Sequence, residues 1–187
     1  MSSSVFTEFK LTRRRALQGA AAAAAVALSA PSLAQARGNF RALSVVNHRT
    51  AEKLNSVYWI DGQYVPEAME AFNYILRDWR EDLMIAIDPL TIDIMAGTQK
   101  LLDTDEPFQV VSGYRSPQTN ALLRSRSRGV ARNSYHTRGM AVDLTMDDRT
   151  VYQMASAAMS LGAGGVGRYT RSKFIHVDSG PVRDWGR

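Results

Sequence analysis

The amino-acid sequence predicts a single domain of the α+β class. Its 187 residues are enough for one hydrophobic core but not for two. Short runs of β-branched and aromatic residues, typical of strands, occur in both halves of the chain. Between them, two apolar patterns with helical spacing each begin at a proline, which is favoured in the first turn of a helix. No internal repeat is found, so a repeat architecture is not expected.

Six segments are predicted to be strands. The first two form an N-terminal hairpin, because the polar segment between them, residues 47–52, has the composition of a turn. The other four lie in the second half of the chain. The predicted strands are residues 41–46, 54–60, 108–112, 140–144, 164–169 and 174–178.

Three helices are predicted. The first begins at Pro66 and the second follows Pro89, whereas the third is capped by Asp148 and ends at Gly162. Asp147 and Asp148 therefore indicate a helix start rather than a site. The inward faces expected of the three helices are Ala68, Phe72, Ile75, Leu76 and Trp79; Leu90, Ile94, Thr98, Leu101 and Leu102; and Val151, Met154, Met159 and Leu161.

The first 36 residues resemble a twin-arginine signal peptide. Residues 12–18 contain the arginine pair followed by a hydrophobic pair, and an alanine-rich stretch, residues 19–30, comes next. That stretch is shorter and less apolar than the ~20 residues of a membrane helix. Ala34 and Ala36 have the small side chains of a cleavage site, so we expect cleavage after Ala36. The alternative, a buried N-terminal helix, fits poorly with three arginines before polyalanine.

This signal predicts where the protein acts. We expect the twin-arginine translocase as a partner during export, a periplasmic mature protein of residues 37–187, and no transmembrane segment after cleavage. The whole chain carries a net charge of +5, but 19 basic and 17 acidic residues remain after residue 36, a net charge of +2. Nucleic acid is therefore not an expected partner.

The residue types limit the possible chemistry. The sequence has no cysteine, which excludes disulfides, a thiol nucleophile and cysteine-bound zinc. The arginine-rich residues 124–129 are most simply a solvated surface segment, and an anionic-polymer contact is the alternative. His48, alone in a turn, is interpreted as a structural residue.

Two segments carry candidate metal ligands. In the predicted strand 140–144, Asp143 points away from the apolar face, and His136 lies in the preceding loop. In the strand 174–178, His176 and Asp178 share a face. Two histidines and a carboxylate make a plausible zinc triad, which leaves the fourth position of a tetrahedral ion for water. Zinc lowers the pKa of such a water to about 7, so no thiol or activated serine is required.

The pattern Ser-x-His-x-x-Gly-x-Ala-x-Asp at residues 134–143 resembles the M15 family of zinc peptidases. His176 in a late strand and the segment Ser-Gly-Tyr-Arg-Ser at residues 112–116 extend the resemblance, which covers residues 42–185 and is greatest to the family's murein endopeptidase K-like branch. It implies a small antiparallel sheet with flanking helices, as in Hedgehog and D-Ala-D-Ala peptidases. It also implies one Zn²⁺ per chain, bound by His136, Asp143 and His176, and peptide cross-links of peptidoglycan as substrate.

The resemblance also implies roles for residues near the metal. Arg115 is expected to bind the substrate carbonyl or carboxylate, because a fixed guanidinium can stabilise an oxyanion; a structural ion pair is the alternative. Ser134 contacts substrate or fixes its loop. Other M15 branches place the general base at positions that are Lys173 and Phe174 here, and neither side chain can act as one. Asp178 is therefore the candidate base, and a carboxylate that orients a metal ligand is the alternative.

Together these features predict a zinc-dependent murein endopeptidase, and the resemblance to the murein endopeptidase K-like branch implies that it cuts L,D links between diaminopimelate residues, the 3-3 cross-links. A D,D-endopeptidase or D,D-carboxypeptidase of the same family is one alternative. A zinc-containing binding module without catalysis is another, and a basic scaffold that binds a wall polymer through residues 124–132 is a third.

Overall fold

A computed structural model describes residues 39–127 and 129–186 of the chain. The signal peptide predicted for residues 1–36 lies outside the described residues. The described residues form eight strands: β1 Phe40–Asn47, β2 Lys53–Ile60, β3 Gln63–Tyr64, β4 Phe108–Ser112, β5 Ala141–Thr145, β6 Gly165–Tyr169, β7 Phe174–Asp178 and β8 Arg183–Gly186. They also form four α-helices: α1 Pro66–Ile75, α2 Pro89–Leu101, α3 Pro117–Arg126 and α4 Val151–Ser160.

All eight strands belong to one sheet, in the order β3-β2-β1-β4-β5-β7-β6-β8. The predicted α+β class is confirmed. The sheet is larger than the small antiparallel one expected, and it is mixed, because β1 pairs parallel with β4 and β6 pairs parallel with β8. The N-terminal hairpin is confirmed, since β1 and β2 pair antiparallel.

Helices α1, α2 and α4 pack on one face of the sheet and form the core with it, whereas α3 contributes no residue to the apolar cluster. Alternate residues of the central strands point to this face: Val142 and Leu144 of β5, and Ile175 and Val177 of β7, are all fully buried in the apolar cluster. The intervening residues of the same strands, Asp143 among them, therefore point to the opposite face. The core thus determines which side of the sheet can carry polar chemistry.

The helices differ in detail from the sequence expectation. In α2 the buried face is Thr91, Ile92, Ile94, Met95, Ala96, Thr98 and Gln99. Leu90 and Leu101, expected inside, are exposed. The first helix ends at Ile75, before Trp79.

Thr150 rather than Asp148 caps α4. Its hydroxyl accepts a hydrogen bond from the Gln153 amide, and Gln153 Oε1 accepts one from the Thr150 amide, which is a capping box. Asp148 instead accepts hydrogen bonds from Thr104 and Arg149. No helix among residues 39–127 and 129–186 is long and apolar enough to cross a membrane.

Candidate metal centre

Two strands at the centre of the sheet bring two of the predicted ligands together. In the antiparallel pairing of β5 with β7, Asp143 lies directly opposite His176. Both point away from the apolar cluster, because their neighbours in sequence point into it. Side chains of directly opposed residues are within contact distance, so the register of this strand pair brings together two of the three predicted ligands.

The third residue, His136, comes from a short 3-10 helix, Tyr135–Arg138. Ser134 precedes this helix, and its hydroxyl accepts the backbone amide of His136 at 3.3 Å. Gly139 ends it in the left-handed conformation, with φ of 69°, which a side chain would strain. Two roles were expected for Ser134, contact with substrate or fixing of the loop. Its hydrogen bond to the His136 amide is of the kind that fixes the loop.

Three atoms converge at the centre of the site. His136 Nε2 lies 3.2 Å from Asp143 Oδ1 and 3.2 Å from His176 Nδ1, and the last two are 2.9 Å apart. Ligands of a tetrahedral zinc ion, at 2.0–2.1 Å from it, lie about 3.3 Å from one another. The spacing of the three atoms therefore fits zinc.

The outer nitrogens of both imidazoles are held by acceptors. His136 Nδ1 donates to the Gly113 carbonyl at 2.7 Å, and His176 Nε2 donates to Asp178 Oδ2 at 3.0 Å. With these protons on the outer nitrogens, His136 Nε2 and His176 Nδ1 carry lone pairs. Both lone pairs are close to Asp143 Oδ1. A cation placed between these three atoms would be stabilised by all of them, so the donor set also fits a metal ion.

Burial and charge set the protonation of the three groups. Burial lowers the pKa of His136 and keeps it neutral, as a metal ligand must be. Burial opposes ionisation of Asp143, but the surrounding His136, His176 and Arg115 hold the pKa of this carboxyl well below its ordinary value. Burial also lowers the pKa of His176, but its bonds to Asp143 and Asp178 outweigh burial and raise it.

Asp178 stands behind His176, one imidazole ring away from the converging atoms. It is fully buried, and Arg183 donates two hydrogen bonds to its carboxylate, at 2.9 and 2.7 Å. The Gly180 amide donates a further one at 2.9 Å. Burial raises its pKa, but these donors and His176 outweigh burial and lower it, so that the group is held as an anion.

Arg115 lies on the opposite side of the site. Its Nε donates to Ser112 Oγ at 2.8 Å, and its Nη2 bonds to Asp143 Oδ2, the oxygen that does not face the histidines. The structure thus brings all six predicted site residues, Arg115, Ser134, His136, Asp143, His176 and Asp178, into one constellation. His48 lies outside it, where it bonds to Gln109.

Sequence reasoning missed three residues that surround this constellation. Trp185 places its ring 5.3 Å from that of His176, and Arg183 lies against Tyr135, 5.2 Å from the ring centre. The only sequence signal is the set of glycines that accommodate them. A Cβ on Gly167 would stand 2.7 Å from the Trp185 ring, and one on Gly180 would stand 2.6 Å from the Tyr135 ring.

The triad of His136, Asp143 and His176 opens into a cleft of about 530 Å³. The cleft is lined by the triad, by Arg115 and Arg183, and by aromatic side chains. Asp143 is the only carboxylate among the described residues that line it. A larger cavity of about 650 Å³ lies elsewhere, around Asp93, and contains none of the triad.

Comparison with known families identifies the family of the chain. The family described as "Peptidoglycan L,D-endopeptidase MepK" matches residues 35–185, which include the triad and the residues around it. The chain belongs to the M15 family of metallopeptidases. The predicted family is thereby confirmed.

Several relatives of the same family are known. The peptidoglycan L,D-endopeptidase MepK of Escherichia coli K12 is 40% identical over 181 residues, which cover 95% of this chain and 99% of that protein. The Shigella flexneri protein of that name has the same identity and coverage. A Haemophilus influenzae protein, named a probable peptidoglycan L,D-endopeptidase MepK, is 38% identical over 78% of each chain.

Proposed function

We propose that this protein is a zinc-dependent endopeptidase that hydrolyses L,D peptide cross-links of peptidoglycan. The observation that carries the proposal is the convergence of His136, Asp143 and His176 at the base of an open, cationic cleft. Relatives named for this activity match 95% and 78% of the chain.

One Zn²⁺ per chain would be held by His136 Nε2, Asp143 Oδ1 and His176 Nδ1. When bound, the ion supplies Lewis-acid activation of water and of the substrate carbonyl. The residues of the chain do the rest. Gly113 and Asp178 fix the tautomers of the two histidines, so that no rotation is needed before the ligands meet the ion.

Arg115 is proposed to bind the substrate at the scissile bond. Its guanidinium lines the cleft, and only two of its three nitrogens are used by Ser112 and Asp143. The remaining nitrogen can donate to the carbonyl oxygen, on which negative charge develops during hydrolysis. Ser134 is proposed to hold the loop of His136 in place.

The placement of Asp178 supports a positioning role rather than the role of general base predicted from the sequence. Its oxygens are occupied by His176, Arg183 and Gly180, and it lies on the far side of the His176 ring from the triad. A base must reach the proton that it removes, and a carboxylate held as an anion by three donors accepts a proton poorly. We propose that Asp178 orients His176.

The electrostatics of the cleft favour substrates with free carboxylates. Arg115 and Arg183 line it, and its single carboxylate faces the metal-binding point. A link between two diaminopimelate residues has carboxylates on both sides of the scissile bond, and these can pair with guanidinium groups. This complementarity supports an L,D specificity for 3-3 cross-links.

Digestion of muropeptides of known linkage tests the function. Mature protein loaded with zinc is incubated with 3-3 and 4-3 cross-linked dimers and with pentapeptides, with and without a chelator, and the products are identified by mass spectrometry. We expect 3-3 dimers to be cleaved into monomers, 4-3 dimers to be cleaved more slowly, and no release of D-Ala. Free D-Ala as the main product indicates a carboxypeptidase, and preferential loss of 4-3 dimers indicates a D,D-endopeptidase. Bound zinc without turnover indicates a binding module.

We also propose export to the periplasm by the twin-arginine translocase. Changing Arg13 and Arg14 together to Lys preserves charge, and we expect unprocessed precursor to accumulate in the cytoplasm. A general secretory signal tolerates this change, so normal processing of the double variant would exclude the twin-arginine route. Immunoblotting of cytoplasmic and periplasmic fractions provides the measurement.

A further inference from the structure

A second cavity adjoins the cleft around the triad, which we call the metal cleft. It lies on the side where β8 forms the edge of the sheet. It has a volume of about 520 Å³, and Tyr169, Ser172 and Trp185 line both it and the metal cleft. Trp185 Nε1 donates to the Tyr169 hydroxyl at 3.1 Å, so the two shared aromatic side chains are tied together. The cavity is therefore continuous with the cleft along a fixed aromatic wall.

The wall is held in place from both sides. The Trp185 ring lies on Gly167, where any Cβ would collide with it, and faces His176 at 5.3 Å. Tyr169 stacks on Phe174 with 4.6 Å between ring centres. Two aromatic groups fixed in this way offer apolar surface to a ligand without the cost of ordering long side chains.

The charge of the second cavity is positive. Arg168 and Arg171 line it, and no Asp or Glu is found among its lining residues in the described part of the chain. Arg168 pairs with Asp184 at 3.3 Å, whereas Arg171 is exposed and forms no ion pair with any other described residue. Arg171 is therefore available to a carboxylate that enters the cavity.

We infer that the second cavity is a subsite for one of the two stem peptides of a cross-linked substrate, and that Arg171 binds a free carboxylate of that stem. The inference rests on the proposed function, because a cross-linked dimer extends to both sides of the scissile bond. A peptidase of such dimers needs room on both sides of its metal. The cavity beyond Trp185 supplies that room, and apolar walls beside a guanidinium suit an acidic peptide.

The test compares two substrates and three variants of the full mature protein. The substrates are a 3-3 cross-linked dimer and the same dimer with its free carboxylates amidated. The variants are Arg171→Ala, Arg171→Glu and a control of equal charge change, Lys53→Glu, on the exposed start of β2. Binding is measured by calorimetry with Asp143→Ala as the background, which is expected to prevent turnover, and KM is measured with the active enzyme.

We expect Arg171→Ala to weaken binding of the unmodified dimer about three- to fivefold, as for an exposed ion pair. Arg171→Glu should weaken binding of this dimer further. In both variants kcat should not change, and the affinity for the amidated dimer should match that of the parent protein. Lys53→Glu should match the parent protein. Unchanged affinity, or an equal loss for both dimers, would overturn the subsite. Binding that depends on Arg171 without any cleavage would instead overturn the proposed function and leave the subsite standing.

Discussion

Asp178 accepts a hydrogen bond from His176 Nε2 at 3.0 Å, and its carboxylate also accepts hydrogen bonds from Arg183 and from the Gly180 amide. The two residues are two apart on β7, so a single strand supplies both a proposed metal ligand and the carboxylate proposed to orient it. The orientation of His176 thus depends on a residue that does not face the metal-binding point.

Asp178→Asn separates a positioning role from that of a general base. Loss of an orienting carboxylate typically lowers metal affinity 10- to 100-fold, so we expect zinc affinity to fall by about that factor and activity to fall at limiting zinc. Competition with a chromogenic chelator provides the measurement. Unchanged zinc affinity together with a ~10²-fold loss of kcat at saturating zinc would restore the role of base.

Alanine at any one of the three ligands should remove the metal. We expect His136→Ala, Asp143→Ala and His176→Ala to lose stoichiometric zinc and all activity, because no cysteine is available to compensate. His48→Ala, outside the site, should retain both. Elemental analysis of the purified variants gives the zinc content. Normal zinc and turnover in the three variants would refute the triad.

Arg115→Lys preserves charge but not geometry. The guanidinium reaches Ser112 and Asp143 at the same time, which a single ammonium group cannot reproduce. We expect turnover of a 3-3 dimer to fall by about tenfold or more, while zinc remains bound. Steady-state kinetics with parallel zinc analysis measures both. Full turnover in Arg115→Lys would contradict a substrate role.

The loop that carries Arg115 is anchored by a buried carboxylate. Asp78 accepts the Ser116 amide at 2.8 Å and the Arg80 amide at 3.1 Å. Asparagine can accept only one of these bonds well, so Asp78→Asn should lower the free energy of unfolding by about 1–3 kcal/mol. Because the loop carries Arg115, the KM for a 3-3 dimer should also rise. Urea unfolding and kinetics measure these effects. Glu81→Gln, in the same turn but exposed, is the control, and an equal response of both variants would exclude the anchor.

The Glu52–Arg77 pair should make stability depend on pH. Hydrogen bonds from Arg77 are the largest cause of the lowered pKa of Glu52. A lowered pKa in the folded state stabilises the protein above about pH 4.3, the unfolded value, and this contribution is lost as the pH falls through the folded pKa. Glu52→Gln should therefore destabilise by about 1 kcal/mol at pH 7 and by less at pH 3. Urea unfolding at both pH values provides the measurement, with Glu70→Gln as the exposed control.

Most of the strands could be predicted because their signals are local. β1 and β2 are rich in β-branched and aromatic residues, and the alternation in β7 places His176 and Asp178 on one face. Helix α3 was missed because its residues are polar and show no apolar period, so that Ser116 and Pro117 at its start are its only signals. Strand β8 was missed because its four residues are held by parallel pairing with β6, a contact that is not local in sequence.

The roles of individual groups depended on contacts that spacing does not reveal. The interval of two residues on β7 predicts that Asp178 lies near His176, but not that the Arg183 guanidinium occupies it from the other side. Likewise Trp185 joins the cleft only because Gly167, far from it in sequence, leaves room for its ring. Such relationships belong to tertiary packing.

Because Asp143 and His176 lie opposite each other on β5 and β7, zinc binding should depend on the correct register of these two strands. A slip of one residue between these strands would turn His176 toward the core and bring Ile175 or Val177 to the carboxylate, because side chains alternate along a strand. Correctly registered chains alone would then retain zinc. The zinc content per chain in a preparation would therefore report the fraction of chains in which β5 and β7 are paired in the correct register.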